Sequence, residues 1–248
     1  IREELHDCLS ADGGPTRSDL ELELEYFMED AVVGWRDWRV ESGADPRDGQ
    51  GSASCSLRMR LDDLRALWGL RVENRLPLQY LTHSAFWRDM VLSVGKGVLI
   101  PRPETELMVD FALEAVKASP SLGRGLWADL GTGSGALAVG VARALPEVPV
   151  VYAADVAPDP LAYASFNAQR YGVGHRVRPI ESNWFEGLRH AGIAPGSLAG
   201  IVSNPPYIPS PTCVTLQAEV KDHEPALALD GGDNLAVDCL VPICEGAA

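Results

Sequence analysis

The chain has 248 residues, 46% of them hydrophobic and 23% charged, which is typical of a packed globular protein with one large or two small domains. Acidic residues outnumber basic ones by 35 to 21, and the net charge of −14 argues against direct binding to nucleic-acid phosphates. No run of about 18 apolar residues is present, so we expect a soluble, intracellular protein without a membrane partner.

Cysteine and histidine usage points away from metal and disulfide chemistry. The five cysteines are odd in number and include no Cys-x-x-Cys pair, which favours reduced thiols. The five histidines are scattered and none has metal-ligand spacing with a cysteine or an acid, so we expect no metal site.

Residues 1–84 are predicted to form a small helical region. Ser18 and Glu21 have the spacing of a capping box, and the residues that follow repeat with the helical period: Leu20, Leu24, Phe27 and Ala31. A second helix is predicted from the positions of Leu57, Leu61, Leu64 and Trp68. Residues 42–56, rich in Gly, Ser, Asp and Pro, are interpreted as a linker or surface insertion between the helices.

The chain divides near residue 95. A hairpin is predicted between Phe86 and Val98, within a connecting segment of residues 85–100. Residues 101–248 then form the larger, α/β part of the chain.

A strand, a glycine-rich turn and a helix follow one another in this part. Residues 126–130 form an apolar strand candidate that runs into the glycine-rich turn 131–135, and residues 136–145 have helical composition. Such glycines let the backbone approach a ligand, and the helix offers free N–H groups. A second strand ends at Asp155, 20 residues after the turn, which is the spacing for binding ribose hydroxyls. By itself, Asp155 could equally be a helix N-cap before Pro158.

An Asn-Pro-Pro-Tyr turn at residues 204–207 follows the apolar run 198–203, which predicts a buried strand. Its two prolines lack an N–H and have a fixed φ, so the stiff turn presents carbonyl oxygens. The side-chain oxygen of Asn204 and the carbonyl of Pro205 could each accept one hydrogen of a substrate NH2 group, aiming the nitrogen lone pair at an electrophile. A strand-ending proline turn without a substrate is the alternative.

Taken together, these motifs resemble those of class I S-adenosylmethionine-dependent methyltransferases, and among them the HemK-type release-factor glutamine methyltransferases. The resemblance extends over roughly residues 60–235, and its family-specific part is the Ile-Pro-Arg-Pro-Glu-Thr-Glu stretch at 100–106. It implies a Rossmann-like α/β methyltransferase sheet in residues 101–248, preceded by the hairpin and by the helical region, which in this family grips the release factor. From the residues of the helical region alone, an inert stabilising cap is an equally good interpretation.

The resemblance also implies an activity and a set of site residues. The methyl group of S-adenosylmethionine is transferred, without a metal, to the glutamine amide of the Gly-Gly-Gln motif in class I peptide chain release factors. The implied cofactor-binding residues are Gly131, Thr132, Gly133, Ser134, Gly135, Asp155, Asn183, Trp184 and Asn204. The implied substrate-binding residues are Asn204, Pro205, Pro206, Tyr207, Arg102 and Glu104, and those in the catalytic centre are Asn204, Pro205 and Tyr207.

Two features depart from the family pattern. Asn183 stands where many relatives carry an acid, which is expected to alter cofactor affinity. After Gly232 the sequence offers only a short helix candidate, 234–243, whereas the family continues with further strands. The sheet is therefore expected to be incomplete, with strand 198–203 as an apolar exposed edge, and we interpret the chain as a truncated form.

The sequence alone leaves three functions open. Besides the protein-glutamine methyltransferase, these are a nucleic-acid adenine-N6 methyltransferase, which shares the Asn-Pro-Pro-Tyr turn but is opposed by the charge, and an inactive binding protein. An enzyme acting on a ribosomal-protein glutamine would share most of the residues. Release factors of bacterial type occur in bacteria, mitochondria and plastids. The Gly/Ser-rich insertion favours one of the two organelles, with a bacterial-type cytoplasm as the alternative.

Overall fold

The computed structural model describes residues 13–31, 56–233 and 235–247, and its contacts divide the chain into two units. The first unit comprises the described residues up to Thr82 together with Gln217–Glu219; the second comprises His83–Leu216 and the residues from Val220 onward. In the described ranges no helix is long and apolar enough to cross a membrane. The linker predicted at 42–56 lies, except for its last residue, outside the described residues.

Three described helices form the first unit: α1 (Arg17–Ala31), α2 (Leu61–Glu73) and α3 (Leu78–Thr82). All four α1 positions predicted from the helical period are buried, and they pack with Leu64 and Trp68 in one apolar core. The Phe27 ring lies 5.7 Å from that of Trp68. Leu57, which was counted into the second helix, precedes it.

The capping box of α1 differs from the predicted one. The side-chain oxygen of Thr16 accepts the N–H of Asp19 at 3.3 Å, and the Asp19 carboxylate accepts the N–H of Thr16 at 2.8 Å. The reciprocal pair is therefore Thr16 and Asp19, and the assignment to Ser18 and Glu21 was wrong. Both pairs have the same spacing, and the helix begins at Arg17, directly after Thr16.

A buried arginine connects α1, α2 and residues 217–219 within this unit. Arg71 is 2% exposed, and its guanidinium donates to Glu23 and to Glu219, each at 3.0 Å. Arg75 also donates to Glu219, at 2.7 Å. The planar fork of an arginine suits two carboxylates at once, so the cluster compensates charges that burial would otherwise disfavour.

Replacing Arg71→Met is expected to lower the free energy of unfolding of this unit by about 3–5 kcal/mol, because Glu23 then loses its counter-charge and Glu219 keeps only Arg75. Urea titration followed by circular dichroism measures the change. Arg17→Met is the matched control, since it breaks the exposed pair with Glu21 and should change the unfolding energy by less than about 1 kcal/mol. Equal changes in unfolding free energy for the two substitutions would contradict a stabilising role of the buried Arg71 cluster.

The second unit begins with an antiparallel hairpin of β1 (Ser84–Trp87) and β2 (Met90–Ser93), in which Trp87 lies opposite Met90. The strands end at Ser93, so the hairpin is shorter than the segment 86–98 named from the sequence. Trp87, Met90 and Leu92 are all at most 1% exposed and belong to the main apolar core.

A four-stranded parallel sheet forms the centre of this unit. Its strands are β3 (Leu126–Leu130), β4 (Val151–Asp155), β5 (Val177–Glu181) and β6 (Leu198–Ser203), in the order β5-β4-β3-β6. One face packs in the main core with α4 (Leu107–Ala118), α5 (Ala136–Ala144) and α6 (Pro158–Arg170). The other contacts a smaller core that includes residues of α7 (Glu186–His190) and α10 (Leu240–Ala247). The predicted Rossmann-like α/β class is confirmed.

The remaining described strands and α-helices lie between β6 and α10. They are β7 (Ile208–Pro209), α8 (Ser210–Cys213), α9 (Ala218–Lys221) and β8 (Asp230–Gly232), and β7 pairs with β8 in parallel. Short 3-10 helices occur at Pro103–Glu106, Pro120–Arg124 and Ala226–Ala228.

Two predictions near the end of the chain need correction. The helix predicted at 234–243 begins only at Leu240 and runs to Ala247. Leu235 and Ala236 have φ of +56° and +58°, a left-handed conformation that cannot continue a right-handed helix. Strand β6 is not fully buried, since Val202 is its one buried residue. Among the described strands β6 pairs with β3 alone, so it is the edge strand that was expected, but it is not exposed, because its residues other than Val202 are half-buried.

Candidate active site

A cavity of about 400 Å³ lies at the carboxyl ends of β3, β4 and β6. This is the edge at which parallel α/β sheets place their ligand sites. One part of its wall is formed by residues at the end of these strands and of β5 or directly after them: 131–134, 155–157, 182–184, and Asn204 with Pro206. Three motifs separated by tens of residues in the sequence therefore share one cavity.

Most of the predicted cofactor residues line this cavity. Eight of the nine do so: Gly131, Thr132, Gly133, Ser134, Asp155, Asn183, Trp184 and Asn204. Gly135 is buried and is not among the lining residues. Of the predicted substrate residues, Asn204 and Pro206 line the cavity, whereas Pro205, Tyr207, Arg102 and Glu104 are not among the lining residues.

The glycine-rich turn depends on backbone conformations that favour glycine. Gly131, Gly133 and Gly135 have φ of +75°, +54° and +81°. A Cβ on Gly135 would lie 2.8 Å from the Cα of Ala164 in α6, whereas a Cβ on Gly133 would meet no atom within 4 Å. Gly135 is therefore needed both for its conformation and for close packing of the turn against α6.

Asp155 connects the end of β4 to this turn. One carboxylate oxygen accepts the N–H of Gly133 at 3.0 Å, and the other accepts the N–H of Ala157 at 3.1 Å. Burial raises the pKa of Asp155, and these N–H groups partly oppose the increase. The helix N-cap reading of Asp155 was wrong, because the N-cap of α6 is Ala157.

Asp129, in β3, is a site residue that the sequence analysis missed. It is 1% exposed and lines the cavity. Its Oδ2 accepts the hydroxyl of Thr132 at 2.7 Å and the N–H of Ala138 at 3.0 Å, whereas its Oδ1 has no hydrogen-bond partner among the described residues. Burial raises the pKa of Asp129 to about 7, and the nearby charge of Asp155 adds to the increase. An acid within an otherwise apolar strand was the signal in the sequence.

Trp184 is held on the cavity wall in a left-handed conformation, with φ of +48°. The hydroxyl of Ser182 donates to the Trp184 carbonyl at 2.6 Å and accepts the N–H of Gly187 at 2.8 Å. Ser182 thereby fixes a backbone shape that is unfavourable for a large side chain. This serine was also missed, because its partners follow from the local fold and not from a motif.

The Asn-Pro-Pro-Tyr turn is anchored at its start by Ser203, whose hydroxyl donates to the carbonyl of Leu130 at 2.6 Å. This bond joins the ends of β6 and β3 directly before Asn204. Pro205 is buried, and Tyr207 is 56% exposed. The turn therefore presents Asn204 to the cavity from a fixed position, while Tyr207 faces solvent.

The cavity is also lined by Leu99, Pro101 and Thr105 on one segment and by Pro225, Leu227 and Ala228 on another. Glu224 joins the two segments, because its buried carboxylate accepts the N–H of Ile100 at 3.1 Å and the Arg102 guanidinium at 2.6 Å. Arg102 is thus bonded within the protein, and Glu104 is exposed. Their predicted contact with substrate stays a prediction.

Comparison with known proteins decides the family, although no family model matches the chain. The release factor glutamine methyltransferase of Gloeobacter violaceus is 41% identical over 226 residues, which are 91% of this chain and 72% of the relative. The chain belongs to the release factor glutamine methyltransferase family. The family resemblance predicted from the motifs is confirmed, and S-adenosylmethionine, the predicted cofactor, is the cofactor of this family.

Other relatives in the family are matched over a smaller share of their length. The release factor glutamine methyltransferase of Thermosynechococcus vestitus is 47% identical over 178 residues, 71% of this chain. That of Synechocystis sp. is 45% identical over 178 residues, again 71% of the chain. The chain spans 58% of the length of each. Among solved structures, the hMettl16 catalytic domain in complex with MAT2A 3'UTR hairpin 6 is 12% identical with a TM-score of 0.49, covering 95% of this chain and 74% of that one.

Gly135→Ala is expected to lower the thermal unfolding midpoint more than Gly133→Ala. Both substitutions impose left-handed strain of roughly 1–2 kcal/mol, but the first also forces a methyl group onto the α6 backbone, at an added cost of about 1–3 kcal/mol. Differential scanning calorimetry of the two variants and the parent measures this. Equal midpoints for the two variants would rule out the close approach of the turn to α6.

Asp129 is expected to make the chain more stable at pH 5 than at pH 8. Its folded pKa of about 7 lies above the ordinary value of 3.8, so the folded state binds more protons, and this stabilisation is lost as pH rises from about 4 through 7. Asp129→Asn keeps both accepted hydrogen bonds and should reduce the difference in unfolding free energy between pH 5 and pH 8 by no more than about 3 kcal/mol.

Urea titrations at the two pH values measure this difference. The exposed Asp62→Asn is the matched control for loss of a carboxylate. If Asp129→Asn leaves the pH difference unchanged, Asp129 is ionised at pH 5 and the assignment fails.

Proposed function

We propose that the protein transfers the methyl group of S-adenosylmethionine to the side-chain amide nitrogen of the glutamine in the Gly-Gly-Gln motif of a class I peptide chain release factor. The observation that carries the proposal is the shared cavity, whose wall contains the glycine-rich turn, Asp155 and Asn204. A nucleoside site and an acceptor for an amide group therefore adjoin each other, as methyl transfer between them requires.

The chemistry of the wall fits S-adenosylmethionine. The glycines allow the backbone to approach the ligand, and Asp155 offers a carboxylate to ribose hydroxyls. The unpartnered Oδ1 of Asp129 offers an acceptor to a cationic or hydrogen-bonding group. Trp184 supplies an aromatic surface for the adenine, beside Asn183, whose amide replaces the acid of many relatives and still provides an acceptor. These assignments combine the family resemblance with the lining of the cavity.

The residues of the Asn-Pro-Pro-Tyr turn act on the substrate by orientation. An amide nitrogen is a poor nucleophile because its lone pair is delocalised, and the bound cofactor supplies a methyl group on a positively charged sulfonium. The side-chain oxygen of Asn204 and the carbonyl of Pro205 accept the two amide hydrogens and direct the lone pair toward that methyl group. Both bonds strengthen as the nitrogen becomes positive, which favours the transition state over the bound substrate. The proton leaves after transfer, when the nitrogen has become acidic.

A release factor is the proposed partner because the family is defined by that substrate, whereas the sequence motifs would equally serve a ribosomal-protein glutamine. The net charge of −14 argues against the adenine-N6 alternative. A mitochondrion or plastid remains the proposed compartment, with a bacterial-type cytoplasm as the alternative.

Asn204→Ala is expected to abolish methyl transfer while changing the affinity for S-adenosylhomocysteine far less, because the hydrogen-bond partner proposed for Asn204 is the substrate amide and its contact with the cofactor is secondary. Asp155→Ala is the reciprocal variant and should weaken that affinity by roughly 10-fold or more, since it removes the ribose acceptor. Mass spectrometry of the Gly-Gly-Gln peptide measures transfer, and titration calorimetry measures binding.

The Gloeobacter violaceus relative serves as the positive control with the same release factor. One added methyl group on the glutamine supports the proposal. If the relative methylates the factor and this chain binds S-adenosylhomocysteine without transfer, the chain is a non-catalytic binding protein. Loss of binding in Asn204→Ala would contradict its assignment to the substrate.

A further inference from the structure

Two side chains of the α6 region bind the backbone of β2. The Oδ1 of Asn167 accepts the N–H of Ser93 at 2.8 Å, and its Nδ2 donates to the Ser93 carbonyl at 3.0 Å. The hydroxyl of Tyr171 accepts the N–H of Val91 and donates to the Val91 carbonyl at 3.1 Å. The edge of β2 that faces away from β1 is therefore paired with side chains in place of a further strand.

The repeat distances of a helix and a strand explain this pairing. Four residues along a helix advance about 6 Å, and two residues along a strand advance about 6.6 Å. Side chains at i and i+4 lie on the same face of a helix, and alternate strand residues direct their N–H and C=O groups to the same edge. Asn167 and Tyr171 therefore match Val91 and Ser93 in spacing, and they satisfy backbone groups that would otherwise be costly to bury.

Asn167 makes one bond that Tyr171 lacks. Its second amide hydrogen goes to the carbonyl of Ser134, at 2.8 Å, in the glycine-rich turn. The side chain is fully buried, and its oxygen faces an N–H while its NH2 faces two carbonyls, so only one orientation of the amide satisfies all three bonds. One buried group thus binds β2 and the turn simultaneously.

Both partners of Asn167 lead to the cavity. Ser134 lines it directly, and the chain that follows Ser93 contributes Gly97, Leu99 and Pro101 to the wall. Asn167 itself is not among the lining residues. Resting on the proposed function, we infer that Asn167 is a positioning residue that holds these two parts of the wall at a fixed separation and thereby sets the affinity for S-adenosylmethionine.

The test measures S-adenosylhomocysteine affinity by titration calorimetry, well below the unfolding temperature, in the full chain and its variants. Asn167→Leu keeps the side-chain volume but removes all three bonds, and should weaken binding at least about 10-fold, because a small displacement of a binding wall has large effects. Tyr171→Phe is the matched control: it frees the same strand edge, keeps the ring contact with Arg143 and leaves Ser134 bonded. It should change affinity by less than about twofold.

Asn167→Asp provides a second variant if Asn167→Leu fails to fold, as judged by circular dichroism. It keeps the acceptor for the Ser93 N–H but places a carboxylate against the carbonyls of Ser93 and Ser134, so it should also bind more weakly than the parent. A role confined to stability would lower the unfolding midpoint without changing this affinity.

Three outcomes overturn the inference. The first is a folded Asn167 variant that binds S-adenosylhomocysteine as tightly as the parent chain. The second is a Tyr171→Phe variant that binds it as weakly as Asn167→Leu, because general loosening of the hairpin would then explain the loss of affinity. If the parent chain does not bind S-adenosylhomocysteine, the proposed function fails, and the inference fails with it. In the first two cases the proposed function stands.

Discussion

The parallel pairing of β3 with β4 and β6 is the constraint on which the site depends. Parallel strands end at the same edge of a sheet, so the turns that follow them meet there regardless of their distance along the chain. The register places Leu130 beside Ala154 on one side and beside Ser203 on the other. The glycine-rich turn, Asp155 and Asn204 therefore converge without any direct interaction being required to bring them together, and the hydrogen bonds between their segments serve to fix the final positions.

Helix α6 provides a second level of organisation. Its residue Ala164 leaves room only for a glycine at position 135, and Asn167 bonds both the same turn and β2. The helix thus fixes the glycine-rich turn by a steric contact and by a hydrogen bond. These contacts differ in kind: the first requires the absence of a side chain, and the second requires one particular amide. A helix that packs so closely transmits any displacement of its own to the cavity wall, because closely packed interiors have little free space.

The sequence predicts those parts of the structure whose residue pattern is contained in a short stretch of the chain. Strands β3 and β4, the glycine turn and the burial of Leu20, Leu24, Phe27 and Ala31 follow from periodicity and from residue types within short windows. Asn167, Ser182 and Glu224 could not be found in this way, since their partners lie far along the chain or depend on a local backbone shape. The helix predicted at 234–243 failed because apolar composition does not reveal the left-handed backbone at Leu235 and Ala236. Asp129 was visible, but an acid in an apolar strand has several possible explanations until its unpartnered oxygen is seen.

Two acids of the cavity, Asp129 and Asp155, determine which ligand charge it favours. Burial raises the pKa of both Asp129 and Asp155, so without a ligand the cavity disfavours negative charge on either carboxylate. A cationic ligand reverses this preference, because a positive charge within a few ångströms stabilises the ionised form. S-adenosylmethionine carries such a charge on its sulfonium, which its product lacks. Under the proposed function, ionised Asp129 and Asp155 would favour the positively charged methyl donor over the uncharged product. Under the proposed function, methyl transfer neutralises that sulfonium, so the electrostatic attraction to the two carboxylates would be lost in the step that completes the reaction.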